Sequence, residues 1–420
     1  MLICVFCSVA AAQALIDSAT ARRLQESLSS ELPLSCDWSR TGPALTYRLQ
    51  FQFGYVAEVP VSQFPGKGHE LWALLQVMPR DGETNTPSFF LRHYELPPIL
   101  ATDYSAKFEG VLQAGEGAYD VAATLFDEQR RSCRAQWQIH VNPTREERAA
   151  FTGMPPHSTA AVTSSTAQGT SRLATTVGGL TILVHATSVH PDQSVLSEGD
   201  IRMLTGALGA IMEEVPARDV RLVIFSLAGQ KEFYRQNGFR LQDIDHVTDT
   251  LGGIGPVTVD ISGLLTAGSL DMMAGLLDRE LTAATPPDLI IFLGPPGLAD
   301  DRAHRYVRAD QKLAPPIFYI ECANRVQDGR REYSDSDYGF DGPPRVVSTD
   351  GRVMNSSANP GQMPRAVSRP QPGIGANSNE FNTLRHTVGA LNGKTFLVWR
   401  PLDLAQALQK IVLAVNKHSR

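Results

Sequence analysis

The sequence predicts two folded parts in series, an all-β sandwich and then a doubly wound α/β domain on one parallel sheet. Three observations carry this. Short segments before residue 143 alternate apolar and polar residues with period two, the mark of strands with one dry face. Beyond residue 178, short wholly apolar runs alternate with stretches of helical spacing, the pattern of a parallel sheet covered on both faces. Between them, residues 143–175 are rich in Ser, Thr, Ala and Pro and too polar for a core, which predicts a flexible linker. The expected boundaries are a β-sandwich over 30–143, a linker over 144–177 and an α/β domain over 178–420.

Composition narrows the function classes. The 420 residues allow two or three domains, each with its own core. With 38 Lys+Arg against 44 Asp+Glu, the net charge is −6 and no basic stripe is present, so a nucleic-acid footprint is not expected. No apolar run approaches the ~18–20 residues of a membrane-spanning helix. Residues 1–14, MLICVFCSVAAAQA, form an apolar run ending in Ala12-Gln13-Ala14 and resemble the end of a secretory signal peptide, although no Lys or Arg follows Met1. The expectation is a secreted or periplasmic protein cleaved after Ala14. No clean lipoprotein box precedes Cys4 or Cys7.

Such cleavage would leave Cys36, Cys133 and Cys322. Cys36 and Cys133 share one expected domain and form the natural pair in an oxidising compartment; the alternative is two buried thiols. Cys322 ends the apolar run Phe318-Tyr-Ile-Glu-Cys322 and reads as a small core residue rather than a nucleophile.

In chain order, the first strand is read over 45–53, LTYRLQFQF, with Leu45, Tyr47, Leu49, Phe51 and Phe53 inward. Leu71, Ala73, Leu75 and Val77 make a second strand, and Tyr119, Val121, Ala123 and Leu125 a third. Cys133, Ala135, Trp137, Ile139 and Val141 make a fourth, after a polar hairpin loop at 127–132. Trp38, Trp72 and Trp137 are assigned to the sandwich core. Gly115-Glu-Gly117-Ala-Tyr119 resembles the tyrosine corner of immunoglobulin-like domains, which implies a tie from the Tyr hydroxyl to the backbone upstream.

The second part opens on the buried strand Leu180–His185. Ser197 and Asp200 then make a capping box for a helix carrying Ile201, Leu204, Leu208, Ile211 and Val215. A strand over 220–225, helices around 244–251 and 270–281, and strands at 288–293 and 317–320 follow. A strand over 394–399 and a helix from Asp403 through Leu404, Leu408, Ile411 and Val415 close the chain. Residues 325–380 carry few core-forming positions and are expected to be a disordered insertion.

Ile182-Leu-Val-His-Ala-Thr-Ser188, Asp288-Leu-Ile-Ile-Phe-Leu-Gly294 and Gly393–Ala405 together resemble the von Willebrand factor type A-related domains of exported bacterial proteins, especially acidobacterial ones. That family holds a divalent cation with an Asp-x-Ser-x-Ser motif after the first strand and an Asp at the end of a later one. Here the motif positions are His185, Thr187 and Val189, and the later strand ends in Leu293-Gly294. A hard cation needs oxygen ligands, so the resemblance implies a degenerate site without metal. Thr258 and Asp260 are the remaining candidates for the central loop, and two oxygens do not make a site.

His185, Ser188, His190 and Asp192 gather at the carboxyl end of that first strand and form the candidate binding edge. The alternative reading there is a metal-dependent hydrolase built on His185, His190 and Asp192. Gly252-Gly-Ile-Gly255 follows a helix and reads as a turn, and no Gly-x-Ser-x-Gly elbow occurs. The expectation is therefore an exported, non-enzymatic protein with no cofactor, acting on an unidentified protein partner.

Overall fold

The computed structural model describes residues 13–28, 33–81, 86–98, 104–150, 154–162, 176–190, 193, 195–255, 268–297, 315–323, 345–348 and 382–418. The first half runs β1 (Ala14–Ile16), α1 (Ser18–Ser27), β2 (Asp37–Leu45), β3 (Phe51–Pro60), β4 (His69–Pro79), β5 (Ser88–Leu96), β6 (Tyr104–Ala114), β7 (Gly117–Asp127), β8 (Ser132–Val141), α2 (Arg145–Ala150) and β9 (Thr159–Ala161). The second half runs β10 (Val177–His185), α3 (Glu198–Glu214), β11 (Ala217–Ser226), β12 (Lys231–Asn237), α4 (Ile244–Gly252), α5 (Gly268–Leu281), β13 (Leu289–Gly294), β14 (Ile317–Cys322), β15 (Arg345–Ser348), α6 (Thr383–Ala390), β16 (Lys394–Val398) and α7 (Pro401–His418).

Two antiparallel sheets, in the orders β1-β5-β4-β7-β8 and β15-β6-β3-β2, enclose one apolar core. Period two decides which side chains enter it: Leu71, Ala73, Leu75 and Val77 of β4 face Phe51, Phe53, Tyr55 and Ala57 of β3. Cys36 and Cys133 are bridged across a Cα separation of 6.2 Å and join the edge beside β2 to β8. Trp38 and Trp137 pack beside the bridge with ring centroids 6.2 Å apart. The Tyr119 hydroxyl donates to the Gly115 carbonyl at 2.8 Å.

Three expectations for this half need correction. Residues 45–53 are not one strand but a hairpin: β2 ends at Leu45, and β3 starts at Phe51. The Thr46 and Leu49 amides close the turn on Gln50 and Thr46, and Leu49 takes a left-handed φ of 59°. Trp72 lies outside the sandwich core, because α1 covers the outer face of β4. There Trp72 stacks between His93 and Phe126 in a second small cluster with Leu28 and Leu74. The stretch expected to be a linker contains α2 and β9, and β9 pairs with β6.

The second half forms the sheet β12-β11-β10-β13-β14-β16. Ile182, Val184, Leu222, Ile224, Ile291 and Leu293 face α3, α4 and α7. Leu183, Val223, Phe225, Ile290, Phe292 and Tyr319 face α5 and α6. Ser197 caps α3 through reciprocal bonds with Asp200.

The expected fold class is overturned for the chain. Strand outweighs helix among the described residues, 43% to 29%, and two of the three sheets are antiparallel. The third is mixed: β12, in a segment not read as a strand, returns antiparallel on β11, with Arg235 bonded to Glu232 and to the buried Glu280. Nor are the halves strung apart on a linker. β15, from the stretch expected to be disordered, pairs with β6 of the first half, while the remainder of 325–380 lies outside the described residues. A sandwich followed by a doubly wound α/β domain does not describe this arrangement.

The tip of the β2–β3 hairpin also joins the halves. Leu49 is buried in the apolar cluster of α3 and α7, and the Tyr47 hydroxyl donates to the Trp399 carbonyl at 3.1 Å. Arg48 donates to Glu213 of α3 at 2.8 and 3.2 Å. Gly206 permits this approach, since a Cβ there would lie 3.2 Å from that of Tyr47.

Two outcomes are expected. Replacing Cys36 and Cys133 by Ser should lower unfolding free energy by about 2–5 kcal/mol in a denaturant titration, and an unchanged midpoint would contradict the bridge. Glu213→Ala should cost up to about 3–5 kcal/mol by removing the carboxylate that faces the largely buried Arg48 guanidinium, whereas Arg48→Met combined with Glu213→Leu should regain most of it. Additive losses in that double-mutant cycle would show that the pair is not coupled.

Candidate functional site

In a sheet with parallel strands, the place to look for a ligand is beyond the carboxyl ends, where neighbouring strands send their connections to opposite sides. β10 continues through α3 to β11 on one side, and β13 lies on its other side. His185 is the last residue of β10, and Gly294 ends β13 directly beside it. His185 therefore sits at the junction of these two strands.

His185 is buried, with its ring centroid 5.4 Å from that of Phe225. Its Nδ1 lies 3.0 Å from the Pro295 carbonyl. A carbonyl only accepts, so Nδ1 carries the proton and donates. Burial pushes the His185 pKa down to about 4, opposed by the bond to Pro295, so the ring is neutral at pH 7. Nε2 is then a lone-pair acceptor, and it has no partner among the described residues. The Tyr319 hydroxyl donates to the same Pro295 carbonyl at 3.0 Å, and burial raises its pKa well above the usual range.

Gly294 explains why no carboxylate ends this strand. Its φ of 141° lies where side chains are strained, and a Cβ would sit 2.5 Å from the His185 carbonyl oxygen. An Asp at this position could not keep the present path of the two strands.

The loop after β10 is tied down by a carboxylate of its own. Asp200 is buried and accepts from the Ser188 hydroxyl at 2.9 Å, the Val189 amide at 3.2 Å and the Ser197 amide at 2.9 Å. The Ser188 oxygen in turn accepts from the His190 amide at 3.0 Å. Thr187 is half-buried, with its amide 3.2 Å from the His185 carbonyl. Val189 packs against the cluster around α3. Asp192, Thr258 and Asp260 lie outside the described residues.

Glu321 and Arg385 complete the edge on the α6 side. Arg385 donates to both Glu321 oxygens, at 2.8 and 3.1 Å, while burial raises the Glu321 pKa against the pull of that pair. Asn382 caps α6 by accepting from the Arg385 amide at 3.2 Å, and the Thr383 amide donates to Gly297 at 2.8 Å. Cys322 is a buried free thiol in the apolar cluster, and burial pushes its pKa up to about 12.

The expected edge named His185, Ser188, His190 and Asp192 and did not include Asp200, Glu321 or Arg385. Glu321 carried one signal, an acid inside an otherwise apolar strand. Asp200 carried none beyond its cap, because the Ser188 contact depends on how the loop folds back. Among the described residues, no group of three or more His, Cys, Asp and Glu could hold a metal ion. No protein-family model matches the chain, and no curated protein matches it.

The burial of neutral His185 has a consequence for acid stability. Its ordinary pKa of 6.5 drops to about 4 in the fold, so the unfolded chain takes up the proton first. Stability is therefore lost as pH falls from about 6.5 to about 4, by about 3 kcal/mol from this group. A His185→Gln variant, unfolded in denaturant across that range, should lack this part of the pH dependence. Parallel curves for the two proteins would refute the assignment.

Proposed function

We propose that the protein is exported and works by protein–protein contact, not catalysis, and that the part resembling a type A domain does so without a bridging cation. The observation that carries this reading is the state of the β10–β13 edge. The position that would present a carboxylate to an ion is a neutral, buried histidine bonded to the Pro295 carbonyl. The serine positions of the motif are Thr187 and Val189, and Val189 packs against the apolar cluster around α3. Gly294 leaves no room for a compensating acid. The same facts disfavour a hydrolase on His185, His190 and Asp192, because the His185 ring is enclosed between Phe225 and Pro295.

The compartment fits this reading. The Cys36–Cys133 bridge, and the lack among the described residues of a helix long and apolar enough to cross a membrane, are compatible with an extracellular or periplasmic protein.

The test is calorimetric titration of the full chain with Mg²⁺ and Mn²⁺, followed by affinity capture from a native envelope fraction with and without a chelator. Flat heats and a captured partner that stays bound in chelator are expected. A one-to-one isotherm in the micromolar range, or release of the partner by chelator, would sink the proposal.

A further inference from the structure

We infer that the carboxyl edge of β10, β13 and β14, beside the first turn of α6, is a binding site for a small neutral carboxamide. Two buried polar atoms define it, Nε2 of His185 and Nδ2 of Asn382, and neither has a hydrogen-bond partner among the described residues. The inference goes beyond the contact reading and does not depend on it. His185 is 2% exposed and Asn382 0%. An unpaired buried donor or acceptor loses its hydration without replacement, so folded chains pair nearly all such groups. One acceptor and one donor at the same edge point to a molecule that supplies both counterparts.

The partners on the page fix what each atom offers. His185 Nδ1 donates to the Pro295 carbonyl, which leaves Nε2 as a lone pair. Asn382 Oδ1 accepts from the Arg385 amide at 3.2 Å, so the other end of that side chain is the donor. The two groups also belong to one place. Period two puts His185 on the face of Leu183, and Glu321 on the face of Tyr319, both toward α6. His185 and Tyr319 meet at the Pro295 carbonyl. The Asn382 amide opposes the burial that raises the pKa of Tyr319 and of Glu321, so it lies beside both, without completing a hydrogen bond to either. Gly297 links the ring to the helix. Its carbonyl accepts from the amide of Thr383, and a Cβ on it would lie 3.7 Å from His185 Cε1 and 3.4 Å from Leu384 Cγ. A glycine there puts no side chain between the two.

The same groups select the ligand. An anion would face the Nε2 lone pair and the Glu321 carboxylate, and a cation would face the Asn382 N–H groups, so the ligand is neutral. A water would find these two partners beside an apolar wall of Phe225, Leu227 and Leu384, fewer than the roughly three that buried waters usually have. A carboxamide carries its N–H and its C=O on separate atoms. It donates to His185 on β10, accepts from Asn382 before α6, and lays its carbon substituent on the wall.

The experiment follows the His185 ring nitrogens by NMR in the full chain labelled at its histidines, assigned with His185→Gln. Acetamide is titrated in, with acetone, acetate and methylammonium as matched controls. Acetamide should shift Nε2 saturably toward its hydrogen-bonded value, and each control should bind at least about tenfold more weakly for want of one hydrogen bond or for its charge. Asn382→Ser keeps a capping oxygen for the Arg385 amide and removes the donor, so acetamide should bind it at least about tenfold more weakly while the helix cap is retained. No saturable shift, an equal response to acetone or acetate, or unchanged affinity in Asn382→Ser would overturn the proposal. A contact from the His185 ring to water alone, undisturbed by acetamide, would assign the site to a structural water and equally overturn it. The readout needs no cation and no captured partner, so its failure is separate from failure of the contact reading.

Discussion

The arrangement of the whole chain depends on one small turn. At the tip of the β2–β3 hairpin, Leu49 leaves its own sheet and joins the core of the second half, while Arg48 reaches Glu213. Leu49 takes a left-handed φ of 59° at the tip of the hairpin. An apolar plug and a charged pair at one point are complementary: the plug needs a dry socket, and the dry socket strengthens the pair. Because the two sheets of the first half are bound together by their core and the Cys36–Cys133 bridge, fixing the hairpin fixes the sandwich on α3 and α7.

That docking sets the frame in which the β10–β13 edge sits. α3 has two roles: its outer face receives the hairpin, and its first turn carries Asp200, which holds the loop after β10. Asp200 gathers donors from the loop, Pro295 accepts from both His185 and Tyr319, and Glu321 faces Arg385. The pKa shifts at the edge follow burial: His185 is kept neutral, and Tyr319 and Cys322 are kept protonated.

Strand pairing between distant segments is the second theme. β9 and β15 are both short, both come from outside the sandwich sequence, and both attach to β6. Edge strands present unpaired backbone groups that must be covered or used. The outer edge of β6 is covered by short pieces of chain from distant parts of the sequence.

The sequence by itself determined the inward and outward faces of β4, β7 and β8, the cap of α3, and the two cysteines able to pair. Each of these is a local pattern: period two, a Ser and an Asp three residues apart, or parity along one strand. The apolar runs at 180–185 and 288–293 likewise identified buried strands. Periodicity reports that a face is dry and does not say what dries it. That is why Trp72 was assigned to the wrong core, and why Thr46–Gln50 read as strand when Leu49 is buried by another part of the chain. Only the tertiary structure decided that β12 runs antiparallel, that β15 crosses to β6, and that His185 meets Pro295. In each case the deciding partner lies elsewhere in the sequence, and burial and hydrogen bonding depend on what surrounds a residue in space.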